Sequence, residues 1–210
     1  MIYRTAQAGE HSSLVAIHQE AFHDFFLTDL GPRFLGEYYH AVLKNPGSIA
    51  VCAVNDEGQL IGFATGSQSA TGYNRRLLLS HWPAFMVQTV RLLFTRPRAI
   101  LRLLKNMEKQ AFAGDNGQYA ELLSIAVLPS AKGLGVGKGL LQCFEETALR
   151  HGCRKVSLTT DYHDNESVVA FYRKNGYTTF YEFVTYPNRR MYKLIKKLDK
   201  KLASSYETTL

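Results

Sequence analysis

The spacing of apolar residues predicts helices and strands over most of the chain, in two α/β stretches that flank a long amphipathic segment. In the first stretch, apolar residues recur every three or four positions in two regions, which is the period of an amphipathic helix. Shorter apolar runs bounded by turn residues indicate strands. The predicted elements are a strand at 2–5, helices at 12–22 and 25–43, and strands at 48–54 and 59–65. The turn Asn55-Asp56-Glu57-Gly58 predicts that the last two strands form a hairpin.

The stretch after Gly117 also alternates strands with helices. Gly152 and Gly176 follow its two helical regions, as is typical of helix C-termini. The predicted elements are strands at 119–128, 155–160, 177–184 and 190–196, and helices at 136–151 and 166–175. This order predicts an α/β (α+β) fold. Residues 201–210 are predicted to be a frayed C-terminal tail.

The most informative stretch is a glycine-rich loop between a buried strand and a helix. The strand ends at Pro129, and the loop contains Gly133, Gly135 and Gly137. Glycines let successive backbone N–H groups converge on one point, because no Cβ obstructs the bend. The start of the helix adds free N–H groups and the positive end of the helix dipole. The loop therefore predicts a pyrophosphate-binding site.

Two common phosphate-binding motifs do not fit this loop. A Walker A motif needs a glycine and a hydroxyl residue at positions where the chain has Lys132 and Gly139. A dinucleotide-binding Gly-x-Gly-x-x-Gly motif would place Lys138 or Leu140 where its last glycine belongs. An ordinary strand–turn–helix whose glycines serve tight packing stays open as the alternative.

The loop resembles that of the GNAT superfamily of acyl-CoA N-acyltransferases. The resemblance rests on Ile125-Ala126-Val127-Leu128-Pro129, Lys132-Gly133-Leu134-Gly135-Val136-Gly137 and Leu140-Leu141. Lys132 replaces the glutamine or arginine that usually begins the family's loop. A second family motif has an asparagine that opens a helix, then a tyrosine, then a glycine followed by an aromatic residue. The segment Asn165–Tyr177, about 30 residues further on, is similar to it.

The resemblance implies a fold and a domain organisation. It implies a single GNAT domain at 1–200 whose mixed, mostly antiparallel sheet has splayed fourth and fifth strands. It also implies that about 67–117 form a helical insertion between the third and fourth strands, where most relatives have a short hairpin.

The resemblance further implies acetyl-CoA as the co-substrate and no metal ion. The pantetheine arm would enter the gap between the splayed strands and meet the main chain of Ile125 and Val127. The N–H of Val127 would stabilise the oxyanion. The residues implied to contact the coenzyme are Ile125, Ala126, Val127, Lys132, Gly133, Leu134, Gly135, Val136, Gly137, Lys138, Asn165 and Tyr172.

Acetyl transfer to an amine needs a neutral nucleophile, oxyanion stabilisation and a proton for the departing thiolate. A lysine-like amine is neutral in only about one in 10³ molecules at pH 7, so a base is useful. Glu121, six residues before Val127, resembles the base of the family's histone-acetylating branch, and Tyr172 resembles the general acid. The alternatives are a solvent-facing glutamate at a strand edge and a buried core tyrosine.

Four further polar residues follow the fifth predicted strand. Asp161, His163 and Asp164 are candidates for lining the cleft, and loop or helix-cap chemistry is the alternative. Asn165 is expected to contact the coenzyme, to cap its helix, or to do both. No nucleophilic triad is indicated, so the amine is expected to attack the thioester directly.

The distribution of charge singles out the insertion. The formal net charge is +7, and residues 74–109 contain eight basic residues and one acidic residue, which gives the same +7. This segment is amphipathic, with helix breaks predicted near Pro83 and Pro97. Three interpretations stay open: a helical hairpin packed on the core, a lid over the acceptor site, and peripheral contact with an anionic membrane. The basic residues match no nucleic-acid-reading motif, so no nucleic-acid partner is predicted.

Composition and targeting signals indicate the class of protein and its cellular compartment. The apolar and charged fractions of 46% and 20% are ordinary for a globular protein. Cys52, Cys143 and Cys153 include no CxxC pair, which argues against a zinc site or a disulfide framework. The first residues lack the apolar core of a signal peptide, and no apolar run reaches the roughly 20 residues of a membrane-spanning helix. We therefore expect a cytoplasmic protein.

Three functions follow from these observations. The first is acetyl transfer to a primary amine of a small molecule, such as an amino sugar. The second is protein acetylation at an N-terminus or a lysine, which an insertion closing over the site disfavours. The third is a non-catalytic acyl-CoA-binding module. Acyl chain length and oligomeric state do not follow from the sequence, and a homodimer is compatible with it.

Overall fold

A mixed seven-stranded sheet forms the centre of the computed structural model, which describes residues 1–22, 26–95 and 115–199. The strands are β1 (Ile2–Thr5), β2 (Ser48–Val54), β3 (Leu60–Ser67), β4 (Ala120–Val127), β5 (Lys155–Asp161), β6 (Thr178–Thr185) and β7 (Arg189–Lys197). They lie in the order β1-β2-β3-β4-β5-β7-β6. β4 and β5 pair in parallel, and the other neighbours pair antiparallel. The predicted mixed, mostly antiparallel sheet is therefore confirmed.

Helices cover both faces of the sheet. They are α1 (His11–Ala21), α2 (Phe26–Asp29), α3 (Pro32–Lys44), α4 (Tyr73–Ser80), α5 (Trp82–Thr95), α6 (Val136–Arg150) and α7 (Glu166–Lys174). On one face, Leu140 and Phe144 of α6 are fully buried in a cluster with residues of β2, β3 and β4. On the other face, Leu14 of α1 and Tyr39 of α3 are fully buried against Phe63 of β3. Burial of these apolar stripes holds the layers together.

The predicted element boundaries agree with the observed ones to within about two residues, with one exception. The helix predicted at 25–43 is interrupted and forms α2 and α3. Gly31 adopts a left-handed φ of 84°, and Pro32 is the first residue of α3. Proline has no N–H to donate and disfavours a helical conformation in the residue before it, so the two helices cannot be continuous.

The described part of the insertion packs on α3. Tyr73 and Leu77 of α4 and Phe85 and Leu92 of α5 are buried in a cluster with Phe34. The break predicted near Pro83 lies at His81, and Pro83 occupies the first turn of α5, where proline is tolerated. Several predictions lie outside the described residues, namely the break at Pro97, the tail at 201–210, and the basic residues Arg96, Arg98, Arg102, Lys105 and Lys109.

β4 and β5 diverge after a short paired segment. In the described parts of the chain, their ladder joins Ala120–Leu122 to Val156–Leu158 and goes no further. A β-bulge lies at the same point of β4: Gly66 pairs with Leu122 and Thr65 pairs with Ser124, so one extra residue lies between. Bulges bend and twist the strand that contains them. The bulge and the divergence open a gap in the middle of the sheet.

Candidate active site

The divergence of β4 and β5 creates a cleft with a volume of about 670 Å³. On the side of α6 and α7, its walls include Gly137, Asn165 and Tyr172. On the side of α1 and α2, they include His18 and Leu27. The cleft therefore passes through the sheet, so that two substrates can approach each other from opposite faces.

The glycine loop lies where the cleft meets the start of α6. Gly133 and Gly135 have φ values of 83° and 77°, a left-handed conformation that glycine adopts without strain. The N–H of Gly139 donates to the carbonyl of Gly135 at 3.1 Å, which is the first hydrogen bond of the helix. The N–H groups of residues 136–138 therefore have no intrahelical acceptor. Three such amides at the positive end of a 15-residue helix fit the diphosphate of CoA.

The predicted coenzyme-contacting residues form two groups. Five line the cleft, namely Ile125, Val127, Gly137, Asn165 and Tyr172. The rest lie outside its walls: Lys132, Gly133, Leu134, Gly135 and Lys138 are exposed around the loop, and Ala126 and Val136 are buried. Ala126 packs with α1, and Val136 packs in the core beneath α6. The side chains of these two residues therefore face away from the cleft.

The edge of β4 that faces β5 is open beyond Leu122. None of the described strands pairs with residues 123–127 on this side. An unpaired strand edge presents N–H and C=O groups that an extended ligand with amide groups can bind. The pantetheine arm of CoA contains two such amides, so this edge fits it.

Asn165 connects the end of β5 to α7. Its Nδ2 donates to Thr160 Oγ1 at 2.6 Å and to the carbonyl of Asp161 at 3.1 Å. Asn165 occupies the N-cap position of α7, and its carbonyl accepts from the Val169 N–H, but its side chain makes no capping hydrogen bond to the first turn. The two hydrogen bonds of Asn165 Nδ2 tie the start of α7 to the end of β5 at the wall of the cleft.

Tyr172 lies within the cleft wall and is only 6% exposed. Its ring makes edge contacts with Phe171 and Tyr177 at centroid distances of 5.2 and 5.7 Å. Burial raises the pKa of Tyr172 well above its ordinary value. The phenol is therefore protonated at neutral pH and has a proton to donate.

Glu121 is buried and ion-paired. Its Oε1 accepts a hydrogen bond from Lys193 Nζ at 2.5 Å, and Glu121 and Lys193 are 8% and 5% exposed. The alternative of a solvent-facing glutamate is therefore wrong. Glu121 does not line the cleft of Tyr172 but a second cavity of about 360 Å³. Thr159 lines both cavities and marks where they adjoin.

A polar network surrounds the second cavity. Tyr119 and Tyr181 donate hydrogen bonds to Asp115 Oδ2 at 2.6 and 2.8 Å, and the Gly117 N–H donates to Oδ1 at 2.9 Å. Burial raises the pKa of Asp115, but these hydrogen bonds outweigh it and the net shift is downwards. Taken at their formal charges, Asp115, Glu121 and Lys193 give the wall a net charge of −1. Lys193 Nζ also lies 5.1 Å from the ring centroid of Tyr119.

Both ends of the insertion contribute to this second cavity. Ala70, Thr71 and Asn74 come from its start, and Asp115, Asn116 and Gly117 come from its end. Sequence reasoning did not identify Asp115, Tyr119, Tyr181 or Lys193. No spacing could have revealed them, since Asp115 and Tyr181 are 66 residues apart, and Glu121 and Lys193 are 72 apart.

Of the three candidates at the end of β5, one lines the cleft. Asp161 lies in the cleft wall, where it forms a two-point ion pair with Arg189. His163 and Asp164 are exposed and lie outside the walls of both cavities. Asp164 has a left-handed φ of 53°, which is typical of a turn.

His18 is a cleft residue that sequence reasoning placed on α1 without a function. It is 2% exposed, and its Nδ1 lies 2.7 Å from the hydroxyl of Tyr39. Its Nε2 is buried and has no hydrogen-bond partner among the described residues. Burial lowers the pKa of His18 to about 4, so the imidazole is neutral at physiological pH. The sequence did not distinguish His18 as a functional residue, because it occurs at the same helical spacing as the apolar residues of α1 that form the core.

The described residues contain neither a metal-binding cluster nor a membrane-spanning helix. No group of three or more His, Cys, Asp or Glu side chains within 1–22, 26–95 and 115–199 is arranged to hold a metal ion. Over the same ranges, every helix is too short or too polar to cross a bilayer.

The chain matches a protein-family model and several solved structures. The model, described as the acetyltransferase (GNAT) family, matches residues 12–177. A ribosomal-protein-alanine N-acetyltransferase from Brucella melitensis is 17% identical, and the match covers 94% of this chain and 100% of that one with a TM-score of 0.62. An aminoglycoside 6'-acetyltransferase type Ii is 16% identical, with 94% and 97% covered and a TM-score of 0.60.

A third structure was solved with coenzyme A. It is the PaiA N-acetyltransferase from Thermoplasma acidophilum, 15% identical, with 94% of this chain and 98% of that one covered and a TM-score of 0.57. No curated protein matches the chain. At identities this low, the likeness to solved structures shows the fold.

Proposed function

Because this chain belongs to the GNAT family of acetyltransferases, we propose that it transfers the acetyl group of acetyl-CoA to a primary amine of a small molecule, such as an amino sugar. The donor and the reaction class follow from membership of the family, whose enzymes are N-acetyltransferases that use acetyl-CoA. The acceptor class and the roles of individual residues are our proposal.

The donor site is formed by the glycine loop and the open edge of β4. The amides of residues 136–138 bind the diphosphate, and Lys132 and Lys138 add positive charge at the surface around it. The main chain of Ile125 and Val127 binds the pantetheine arm, and the N–H of Val127 stabilises the oxyanion. When bound, acetyl-CoA supplies an acetyl thioester that an amine can attack without prior activation of the enzyme.

Tyr172 is the proposed general acid. It lines the cleft, and its buried phenol is protonated at neutral pH. A thiolate leaving group gains most from a nearby proton when water is excluded from the cleft. The phenolic O–H of Tyr172 therefore protonates the sulfur as the C–S bond breaks, and solvent returns the proton.

The observation that carries the acceptor class is the second cavity beyond Thr159. It is small, its wall carries the carboxylates of Asp115 and Glu121, and Tyr119 and Tyr181 line it. A net negative wall attracts an amine, which is cationic at neutral pH. Tyrosine hydroxyls and Asn74 offer hydrogen bonds to a hydroxylated molecule. These features fit a compact polar amine.

An extended peptide fits this arrangement less well. Both ends of the insertion wall the second cavity, and α4 packs on α3 next to it. A peptide acceptor needs an open groove in which its main chain can extend to either side of the reacting amine. A walled cavity of about 360 Å³ supports a small molecule instead.

The insertion also supports a proposal of peripheral membrane contact. We define the α5 outer face as the exposed apolar side chains of Trp82, Met86, Val87, Val90, Leu93 and Phe94. Phe85 and Leu92 turn inward, so α5 is apolar on two sides, one of which is open to solvent. An exposed aromatic and aliphatic helix face accompanied by arginines is typical of helices that lie in a membrane interface. A lipid-linked amino sugar is an acceptor that would combine both features.

The proposed function is tested by thiol release from acetyl-CoA with a panel of amines. The panel contains amino sugars, polyamines and peptides with a free N-terminus or a lysine, and mass spectrometry identifies the product. We expect turnover with a small polar amine and little with peptides. Turnover only with peptides would replace the small-molecule acceptor with a protein. Tight acetyl-CoA binding with no turnover on any amine would favour a non-catalytic binding module.

The variant Tyr172→Phe tests whether the hydroxyl of Tyr172 in the cleft takes part in turnover. Removing the hydroxyl is expected to lower kcat by about 10²-fold, while the Kd of acetyl-CoA stays within about twofold. Tyr177→Phe is the matched control, because Tyr177 is equally buried and packs against Tyr172 but does not line the cleft. Equal kcat for Tyr172→Phe and wild type would remove Tyr172 from the mechanism.

A further inference from the structure

His18 lies at the side of the cleft from which the acceptor would approach. It occupies the inner face of α1, next to Leu14 and Ile17, and its ring contacts Phe22 and Tyr39 at centroid distances of 4.8 and 5.7 Å. It lines the cleft together with Ser124 of β4 and with Tyr172 on the far side. His18 and Tyr172 therefore border the same cleft.

The hydrogen bonds of His18 leave one ring nitrogen available. Nδ1 is hydrogen-bonded to the Tyr39 hydroxyl at 2.7 Å. Nε2, on the opposite side of the ring, is buried and has no partner within the described ranges. Burying a polar atom without a hydrogen bond costs free energy. Such an atom beside a substrate cleft indicates a partner that arrives with the substrate.

From these contacts we propose that His18 is a catalytic residue whose Nε2 accepts the proton that the attacking nitrogen releases as the new N–C bond forms. The proposal rests on the proposed function. Tyr39 is a positioning residue: in the tautomer with its hydrogen on Nδ1, His18 donates to the Tyr39 hydroxyl oxygen, which fixes the orientation of the ring and leaves Nε2 as the acceptor.

The overall transfer removes two protons from the acceptor nitrogen, and His18 suits the second. The first proton leaves the ammonium before attack, and Glu121 is the predicted base for it. His18 lines the cleft and not the second cavity, so its Nε2 is placed for the proton that is released where the N–C bond forms. A nitrogen that has donated its lone pair to a carbonyl carbon is far more acidic. The neutral imidazole of His18 is a suitable acceptor for that proton.

The step balances without any further reactant. The amine lone pair forms the N–C bond to the thioester carbonyl, and the C–S bond breaks. The second nitrogen proton passes to Nε2 of His18 and from there to solvent. The sulfur takes the proton of the Tyr172 hydroxyl, which solvent replaces. The products are an amide, a thiol and one net proton released for each ammonium consumed.

The first test is His18→Asn. The asparagine amide can take the place of Nδ1 in the bond to Tyr39, but it has no atom where Nε2 was. We expect kcat/KM for the amine to fall by about 10²-fold, with the Kd of acetyl-CoA unchanged within about twofold. Tyr39→Phe should lower kcat/KM by about tenfold. The double variant should be no slower than His18→Asn, because Tyr39 acts only by orienting the imidazole ring that His18→Asn removes.

The second test separates proton transfer from a structural role. His18→Ala leaves space in the cleft wall for an added imidazole, and turnover is measured with a series of substituted imidazoles. If Nε2 accepts a proton, rescue should increase with the pKa of the added imidazole. Rescue that depends only on the size of the imidazole would show that His18 fills space, and would overturn the proposal. His151→Asn, an exposed histidine at the end of α6, is the control and should match wild type.

Activity of the wild-type protein distinguishes a failure of the role proposed for His18 from a failure of the proposed function. If wild type acetylates an amine and folded His18→Asn retains full kcat/KM, the proposal for His18 is wrong and the proposed function stands. If wild type binds acetyl-CoA and transfers to no amine, the proposed function fails and the role of His18 fails with it. Melting temperatures of all variants show whether a loss of activity reflects unfolding.

Discussion

Glu121 and Lys193 are ionisable side chains buried against each other, and this makes their roles in stability and in catalysis separable. Removing one member of a buried ion pair leaves the other charge uncompensated, which typically costs about 3–5 kcal/mol of unfolding free energy. We therefore expect Glu121→Gln to lower stability by about this amount in urea denaturation. Glu121→Gln combined with Lys193→Met should regain most of it, because no unpaired charge remains.

Activity of the double variant then tests Glu121 as a base. If Glu121 deprotonates the ammonium, the folded double variant should stay slower than wild type by about 10²-fold or more at neutral pH. Part of this loss should disappear as the pH approaches the pKa of the acceptor amine, near 10, because the amine is then largely neutral without a base. Full activity of the double variant at pH 7 would assign Glu121 to structure alone.

His18 gives the folded state a specific dependence on pH. Its pKa is about 4 in the folded protein, against about 6.5 in an unfolded chain. Between these values the unfolded state binds more protons, so the unfolding free energy rises as the pH increases from about 4 to 6.5. The largest contribution of this one group is about 3 kcal/mol, reached above pH 6.5.

His18→Asn removes this titrating group and keeps the other ionisable residues. Urea denaturation at pH 4.5 and at pH 7 should therefore show a smaller increase in unfolding free energy for His18→Asn than for wild type. His151→Asn should behave like wild type, because His151 is exposed. Identical increases for His18→Asn and wild type would mean that His18 has an ordinary pKa in the folded protein.

At the scale of elements, two glycines at the start of α6, four residues apart, have different structural roles: Gly135 precedes the helix and Gly139 lies in its first turns. Gly135 has a left-handed φ of 77°, and a Cβ there would meet open space. Gly139 has ordinary helical geometry, but a Cβ there would lie 2.1 Å from the ring of Tyr3 on β1. Gly135 therefore shapes the glycine loop, whereas Gly139 leaves room for the ring of Tyr3 beside α6.

Alanine at each position should separate ligand binding from stability. Gly135→Ala strains a left-handed residue by about 1–2 kcal/mol and turns the loop amides away, so the Kd of acetyl-CoA should rise by about tenfold or more. Gly139→Ala displaces the ring of Tyr3 from its place beside α6, so it should lower the melting temperature and leave the Kd of the remaining folded protein near that of wild type. Calorimetric titration with CoA and thermal unfolding of both variants provide the comparison. Equal Kd values for Gly135→Ala and wild type would contradict the phosphate-binding role of the loop.

The sequence predicted the elements well because periodicity and glycine placement are local properties. The loop at 132–138 and the helix after Asn165 could be located because each motif is contiguous. The pairing of Glu121 with Lys193 and of Asp115 with Tyr181 could not be located, because only the order of strands in the sheet places β7 and β6 on the far side of β5, within reach of β4. The interruption at Gly31 was missed because apolar spacing continued through it.

At the scale of the whole molecule, the insertion adjoins the second cavity, which shares Thr159 with the cleft. The insertion begins and ends at the second cavity, and α4 and α5 pack on α3. The domain boundaries at 1–200 and 201–210 stay predictions. A membrane that binds the α5 outer face would present a lipid-linked amine close to the acceptor side of the cleft.

The charges on this part of the surface favour an anionic bilayer. Residues 73–95 include Arg75, Arg76 and Arg91 and no aspartate or glutamate. Each basic residue near an anionic membrane contributes about 1 kcal/mol of binding, and apolar insertion adds to it. Wild type should therefore co-sediment with vesicles that contain phosphatidylglycerol more than with pure phosphatidylcholine, and less at high salt.

Two sets of variants test the contributions of charge and of apolar insertion. Neutralising the three arginines to glutamine should lower the vesicle partition coefficient by about 10²-fold, since about 3 kcal/mol is lost. Neutralising Arg154, Lys155 and Lys174 to glutamine removes the same net charge from exposed positions elsewhere and should lower it much less. Trp82→Ser with Phe94→Ser should weaken binding even at low salt, because these side chains are 60% and 86% exposed and would enter the interface. If both charge sets reduce binding equally, attraction depends on net charge alone and the α5 outer face is not a membrane contact.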